Sequence, residues 1–308
     1  MRILFMGTPD FAEVCLKKLI QTGQNVVGVV SQPDKPQGRK MVLTAPPVKV
    51  LASAHQIPVY QPSSLRDGAI LELLQELQPE IIVVVAYGKI LPKYVLDFPK
   101  FGCINIHASL LPKFRGAAPI QWSIISGEKT TGVTSMYMAE GLDTGDMILK
   151  HETEILPEET AEELFDRLAV MGGEVLMETL LEIQAGTATR TVQNESQSSY
   201  APMLKREDGH IDFMSDAKKV HDLVRGLYSW PCAYSFYEGK KFKVLSCRVA
   251  EGHGAPGEIL KASVKDGLLV AAGDGAIQIT ELQFEGKKRM KVSDYFVGNH
   301  MDPGKKLE

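Results

Sequence analysis

The segment that most restricts the fold is Ile81-Ile82-Val83-Val84-Val85-Ala86. A continuous run of mostly β-branched residues, far shorter than a membrane span, reads as a strand buried on both faces. Strands of that kind belong to parallel sheets covered by helices on both sides.

The beginning of the chain agrees. Residues 1–6 read as a short buried strand, and Gly7-Thr8-Pro9-Asp10 as a turn with Thr8 as N-cap candidate and Pro9 at the first helical position. A helix to about residue 21 and the apolar run 26–30 complete a β-α-β opening. A lone Gly7 after the first strand is not GxGxxG, so no dinucleotide cofactor is expected. Helical patterns follow at 48–55, 65–77 and 120–125, and strands at 103–107, 132–138 and 147–151. A long helix begins at Thr160, where Thr160 and Glu163 form a capping box, and ends before Gly186; Gly172-Gly173 inside it permits close packing or a kink.

From Thr187 the chain turns polar and rich in Ser and Thr, the composition of a linker. Beyond it come a helix at 217–226 and short strand-like runs at 233–237, 241–249, 257–260, 268–271, 276–284 and 292–296, which suggest a small β-barrel. The expected architecture is α/β: an N-terminal Rossmann-like, mostly parallel sheet with helices on both faces (1–189), a linker (190–204) and a C-terminal OB-like β-barrel domain (205–308). A length of 308 residues favours two domains, and 44% hydrophobic with 23% charged residues is ordinary for a globular chain.

No secretion, import or membrane-spanning signal is visible, and Cys15, Cys103, Cys232 and Cys247 form no CxxC pair, so a cytoplasmic protein with reduced thiols is expected. A net charge of −4 excludes a nonspecific coat for nucleic acid. The charge is uneven: from Lys205 onward 17 Lys+Arg face 15 Asp+Glu, against 17 and 23 before it. Residues 32–49, QPDKPQGRKMVLTAPPVK, carry four prolines and four basic residues against one acid. That is an exposed loop, either a solvated connection or a basic arm with Arg39 and Lys40 at its tip.

The chemistry concentrates in GCINIHASLLPKFRGAAP, residues 102–119. Asn105 and His107 are two apart on a strand, so they share a face and can converge on one ligand. An amide N–H and an imidazole suit acyl transfer, because both donate to a developing oxyanion and the imidazole also moves a proton. Asp143, in a Gly-bounded turn, reaches the same sheet edge if its flanking strands run parallel to 103–107, and a carboxylate beside His107 would fix its tautomer. A satisfied core histidine and a turn aspartate are the plainer readings of the same residues. No GxSxG, HExxH or paired CxxC is present, so neither a nucleophile elbow nor a metal site is expected.

The motifs MGTPDF, VVVAYGKILP, GCINIHASLLPKFRGAAPIQ, TGVTSMYM and GLDTGDMI, followed by a small β domain with GDGAIQITELQFEGKK, together resemble the folate-dependent formyltransferase family, in collinear order over nearly the whole chain. The AAPIQ extension, the basic loop and the C-terminal domain resemble its tRNA-directed members. The resemblance implies that 10-formyltetrahydrofolate donates a formyl group to the α-amino group of initiator methionyl-tRNA, for translation initiation. It implies catalytic roles for Asn105, His107 and Asp143 and folate contacts at Ser109, Leu110, Leu111 and Pro112, with Tyr87 and Gly88 at the neighbouring strand end. It implies tRNA contacts at Arg39, Lys40, Lys35 and Lys49, with Arg115 at the edge where the pocket meets the RNA, in a monomer with no metal and no membrane. Cys232 in WPCAY stands where the family is expected to have Gly. The rival expectations are a formyltransferase or hydrolase acting on a small amine or on formyl-folate, and a noncatalytic RNA-binding module.

Overall fold

The computed structural model describes every residue except Arg39, Lys40 and Asp67, together with the backbone but not the side chain of Gln37. The chain divides into two compact units: residues 1–119, 130–153 and 165–201, and residues 120–129, 154–164 and 202–308.

The first unit is built on β1 (Ile3–Gly7), α1 (Asp10–Gln21), β2 (Val26–Val30), β3 (Lys35–Gln37), β4 (Val42–Thr44), α2 (Pro47–Ala54), β5 (Val59–Tyr60), α3 (Leu71–Leu77), β6 (Ile81–Val85), α4 (Lys93–Leu96), β7 (Cys103–His107) and β8 (Arg115–Gly116). After α5 (Pro119–Ile125) it continues through β9 (Thr130–Tyr137), β10 (Met147–Glu154), α6 (Ala161–Ala185) and β11 (Tyr200–Ala201). Its main sheet has the order β10-β9-β7-β6-β1-β2-β5. The β5-β2-β1-β6-β7 run is parallel throughout, and all five residues of β6 are buried, as a central doubly covered strand requires.

Three local expectations change. Thr8 does not cap α1: Pro9 is the N-cap, and the Thr8 hydroxyl instead accepts from Gln32 N and donates to Tyr87 O, joining the ends of β1, β2 and β6. Within 32–49, β3 and β4 pair as an antiparallel hairpin whose Met41, Val42 and Leu43 are all exposed. And β9 is antiparallel to β7, pairing Ile104 with Tyr137 and His107 with Thr134, so the turn after β9 leaves beside the amino end of β7. The capping box forms as expected, with Thr160 N donating to Glu163 Oε2 at 2.8 Å and Glu163 N to Thr160 Oγ1 at 3.3 Å. Gly172 and Gly173 let α6 lie close to α1, since a Cβ at Gly172 would stand 3.1 Å from the Phe11 ring.

The second unit contains α7 (Ala217–Gly226), β12 (Ala233–Tyr237), β13 (Lys240–Ala250), β14 (Ile259–Ser263), β15 (Gly267–Ala271), β16 (Ala276–Phe284), β17 (Met290–Lys291) and α8 (Val292–Gly298). The antiparallel order is β12-β13-β16-β15-β14, with β17 on β16. The C-terminal segment links the two edges: Glu308 exchanges backbone hydrogen bonds with Phe236 of β12, and Leu307 N donates to Gly257 O just before β14. The run 292–296, expected as a strand, is the helix α8, with Val292 and Phe296 buried four apart on one side.

The same unit holds a buried ion network. Asp222 of α7 accepts from Arg225 Nε at 2.8 Å, and Arg225 Nη1 donates to the carbonyls of Leu156 and Glu159 at 3.2 and 2.9 Å. Cys232 has φ +70°, in the region that favours glycine, which accounts for the residue expected there. All four cysteines are buried free thiols, and burial pushes Cys15, Cys103 and Cys247 up to about 12. No described helix is long and apolar enough to cross a membrane.

Candidate active site

Alternation along β7 sends Ile104 and Ile106 to one face of the sheet and Asn105 and His107 to the other. Asp143 joins them although its turn leaves from the opposite end of β7: the loop after β9 folds back over the sheet face. Asn105 Nδ2 lies 3.4 Å from Asp143 Oδ1, and His107 Nδ1 lies 3.7 Å from Asp143 Oδ2. The third contact is the shortest, with the Gly116 backbone N–H donating to Asp143 Oδ2 at 2.8 Å. The expected trio is therefore assembled, by a different route from the one expected.

His107 Nε2 is 2.9 Å from the carbonyl of Phe114, which can only accept, so this nitrogen carries a hydrogen. Nδ1 faces a carboxylate, which also accepts. The two nitrogens of this buried ring thus face acceptors on both sides, an arrangement suited to the doubly protonated imidazolium. Asn105 is half-buried and makes one described side-chain hydrogen bond, which leaves its second amide hydrogen for a ligand.

Two glycines make the geometry possible. Asp143 itself has φ +52°, and a Cβ on Gly145 would stand 1.7 Å from Tyr137 O, so the loop must pass that strand without a side chain. Gly116, at φ +119°, would direct a Cβ to 2.6 Å from Ala201 O. Its bare backbone lets β8 pair with β11 while its N–H turns to Asp143.

The segment expected to touch folate follows directly on the carboxyl end of β7 and is held to Thr134 of β9. Ser109 Oγ donates to Lys113 O at 2.7 Å, Thr134 Oγ1 donates to Ser109 O at 2.7 Å, and Leu111 N donates back to Thr134 Oγ1 at 3.1 Å. Lys150 Nζ donates to Leu111 O. Leu111 and Pro112 are buried, and Leu110 is half-buried. Tyr87 is buried with its hydroxyl unpartnered, burial pushes that phenol up to about 12, and Gly88 at φ +79° is exposed beside it.

The basic residues separate into two groups. Arg39 and Lys40 lie outside the described residues, and Lys35 is exposed on β3. Lys49 is turned inward to Asp34, at 2.8 and 2.9 Å, and to Gln61 at 2.8 Å; these bonds hold the Asp34 carboxyl below the usual carboxylate range. Arg115 is 8% exposed and forks onto Glu195 and Gln193, so its guanidinium is spent within the chain and is not presented to a phosphate. Gln193 was not singled out by sequence reasoning. It lies in a polar tract without periodicity, and the only available cue was a Gln between two polar stretches.

A mostly parallel α/β unit carrying an Asn-His-Asp site, with a second antiparallel β unit, defines a transferase class that the family comparison makes specific. Residues 1–180 match the formyl transferase family and residues 203–300 match the formyl transferase C-terminal domain, so the chain belongs to the formyl transferase family. Its curated relatives include the methionyl-tRNA formyltransferase of Alkaliphilus oremlandii, 52% identical over 99% of this chain and 98% of that protein. That of Clostridioides difficile is 50% identical over 99% of both chains. Among solved structures, the fold is similar to HypX from Aquifex aeolicus in complex with tetrahydrofolic acid (TM-score 0.63, 20% identity, 97% of this chain and 48% of that one). It is also similar to an N-formyltransferase from Helicobacter canadensis in complex with folinic acid and dTDP-3-aminofucose (TM-score 0.66, 17% identity, 94% of this chain and all of that one).

Proposed function

We propose that this chain is a methionyl-tRNA formyltransferase, moving the formyl group of 10-formyltetrahydrofolate to the α-amino group of initiator methionyl-tRNA in translation initiation. The observation that carries the reading is the convergence of Asn105, His107 and Asp143 on one face of β7, in a chain about half identical to such enzymes along its whole length. In this reading residues 1–189 are catalytic, 190–204 connect, and 205–308 support the tRNA, in a cytoplasmic monomer.

The donor supplies an activated formyl carbon; the chain supplies position and charge. An α-amino group has a reference pKa of about 8, so a neutral fraction exists near pH 7 and no strong base is needed to create the nucleophile. As the amine nitrogen bonds to the formyl carbon, charge builds on the formyl oxygen, and the free amide hydrogen of Asn105 donates to it. His107 contributes its Nε2 hydrogen, now given to Phe114 O, while Asp143 stabilises the imidazolium from the Nδ1 side. His107 then passes a proton to the departing folate nitrogen as the old C–N bond breaks, and recovers one from the attacking amine. Ser109, Leu110, Leu111, Pro112, Tyr87 and Gly88 shape the folate side. For the RNA, the reading keeps Arg39, Lys40 and Lys35 as contacts and gives Lys49 and Arg115 structural roles.

His107→Ala tests the assignment: formylation of methionyl-tRNA should fall by at least about 10²-fold with the fold retained. Wild-type turnover in that variant would overturn it. Formylation of a small amine without tRNA, at a rate matching the tRNA reaction, would favour the small-amine alternative.

A further inference from the structure

The tract before Ala201 carries no catalytic motif, yet it grips the loop that delivers Asp143. Gln193 is 5% exposed, and its Nε2 donates to the carbonyls of Asp143 and Gly145, each at 2.8 Å. Its Oε1 accepts from Arg115 Nε at 3.0 Å and from Nη2 at 2.8 Å. Arg115 in turn forks onto the Glu195 carboxylate, with Nη1 to Oε2 at 3.0 Å and Nη2 to Oε1 at 2.8 Å. Backbone bonds exchanged between Met147 and Thr191, both at 2.9 Å, fix the tract two residues before Gln193.

The geometry points to Gln193 as a positioning residue for formyl transfer, with Arg115 and Glu195 setting its orientation. Asp143 sits in a backbone region that L-residues avoid, so its loop needs an external hold to stay there. Gln193 supplies that hold at two carbonyls, one of them Asp143's own. The Asp143 to His107 separation of 3.7 Å lies just beyond hydrogen-bond length, so a shift of a few tenths of an ångström decides whether the carboxylate serves the ring. An amide is the group this place requires: its nitrogen faces two acceptors and its oxygen faces a fork of donors. Glu195 reaches the site only by way of Arg115, which meets Gln193 through its guanidinium and is flanked in the chain by Phe114 O on His107 and Gly116 N on Asp143, so Gln193 and its partners brace the same two site residues. The inference rests on the Asn105-His107-Asp143 site being where formyl transfer occurs.

Gln193→Glu tests it, since the carboxylate still pairs with Arg115 but turns an acceptor toward two carbonyl oxygens. Gln193→Leu removes both ends, and Glu195→Ala, changed at a largely exposed side chain, is a milder variant that leaves the core intact. The expected result is a fall in kcat of about 10²-fold for Gln193→Glu with KM for both substrates within twofold. Glu195→Ala should lose several-fold, and the 15N signal of His107 Nδ1 should shift in each variant. Unchanged kcat and unchanged His107 signals in folded Gln193→Glu would overturn the role, as would a loss of activity that only follows the folded fraction. If the wild-type chain shows no formyl transfer, the functional reading fails instead, and the His107 signals still decide whether Gln193 positions Asp143.

Discussion

Asp143→Asn separates charge from shape. The amide keeps the side chain's size and can still accept the Gly116 N–H, which now reaches Asp143 Oδ2 at 2.8 Å. What it loses is the negative charge 3.7 Å from His107 Nδ1. At an effective dielectric of about 20, two unit charges 3.7 Å apart attract by about 4.5 kcal/mol. Part of that is offset, because the neutral amide has no carboxylate desolvation to overcome. A net loss of about 3 to 4 kcal/mol in holding the imidazolium that donates to the oxyanion and to the leaving nitrogen corresponds to a fall in kcat of roughly 10²- to 10³-fold. Single-turnover formyl transfer at saturating donor and methionyl-tRNA measures that fall, and a melting curve checks the fold. Activity within threefold of wild type would refute the electrostatic argument. A loss carried wholly by KM would do the same, because the charge is assigned to the transition state and not to substrate binding.

Gly145→Ala should lower kcat by at least about tenfold in a folded protein, since its Cβ would fall 1.7 Å from Tyr137 O and the loop bearing Asp143 must move; unchanged kinetics would show that Asp143 tolerates the shift. The second unit should lose stability in acid through Asp222. Burial alone would raise this carboxyl, but the His221 ring 3.7 Å away and hydrogen bonds from Lys218 and Arg225 outweigh it and hold the group at about 2, below its ordinary 3.8. That contribution is present above about pH 4 and disappears as pH falls through 2, about 2 kcal/mol in all, so denaturant midpoints at pH 4 and pH 2 should differ more in wild type than in Asp222→Asn. Leu307→Ala should cost about 2 to 4 kcal/mol in a urea titration, because this buried side chain anchors the segment that joins β12 to the β14 side.

Much of the site was legible because it is local. Asn105 and His107 share a face by the alternation of any strand, and the capping box at Thr160 and Glu163 needs only a spacing of three. The motifs that resemble formyltransferases agree with a family match that covers both units. The misread places were those where a residue's role depends on distant backbone. Thr8 looks like a cap but finds Tyr87 O and Gln32 N instead. Val292 to Phe296 is short and apolar enough to suit a strand, until burial of residues four apart makes it a helix. Lys49 and Arg115 look like phosphate ligands as isolated charges, and only their neighbours show that they are already paired.

The sequence by itself determined the strand that carries Asn105 and His107, the doubly covered sheet that holds it, and the residue types that can stabilise an acyl-transfer oxyanion. Those follow from short-range periodicity and from side-chain chemistry, which need no partner to be read. Only the tertiary structure decided how Asp143 reaches His107. That contact requires an antiparallel β9, a loop folded back across the sheet with Asp143 at φ +52°, and a clamp from Gln193 fifty residues further on. Each is a bond between segments whose proximity is set by the packing of the whole unit, and no local pattern of residues encodes it.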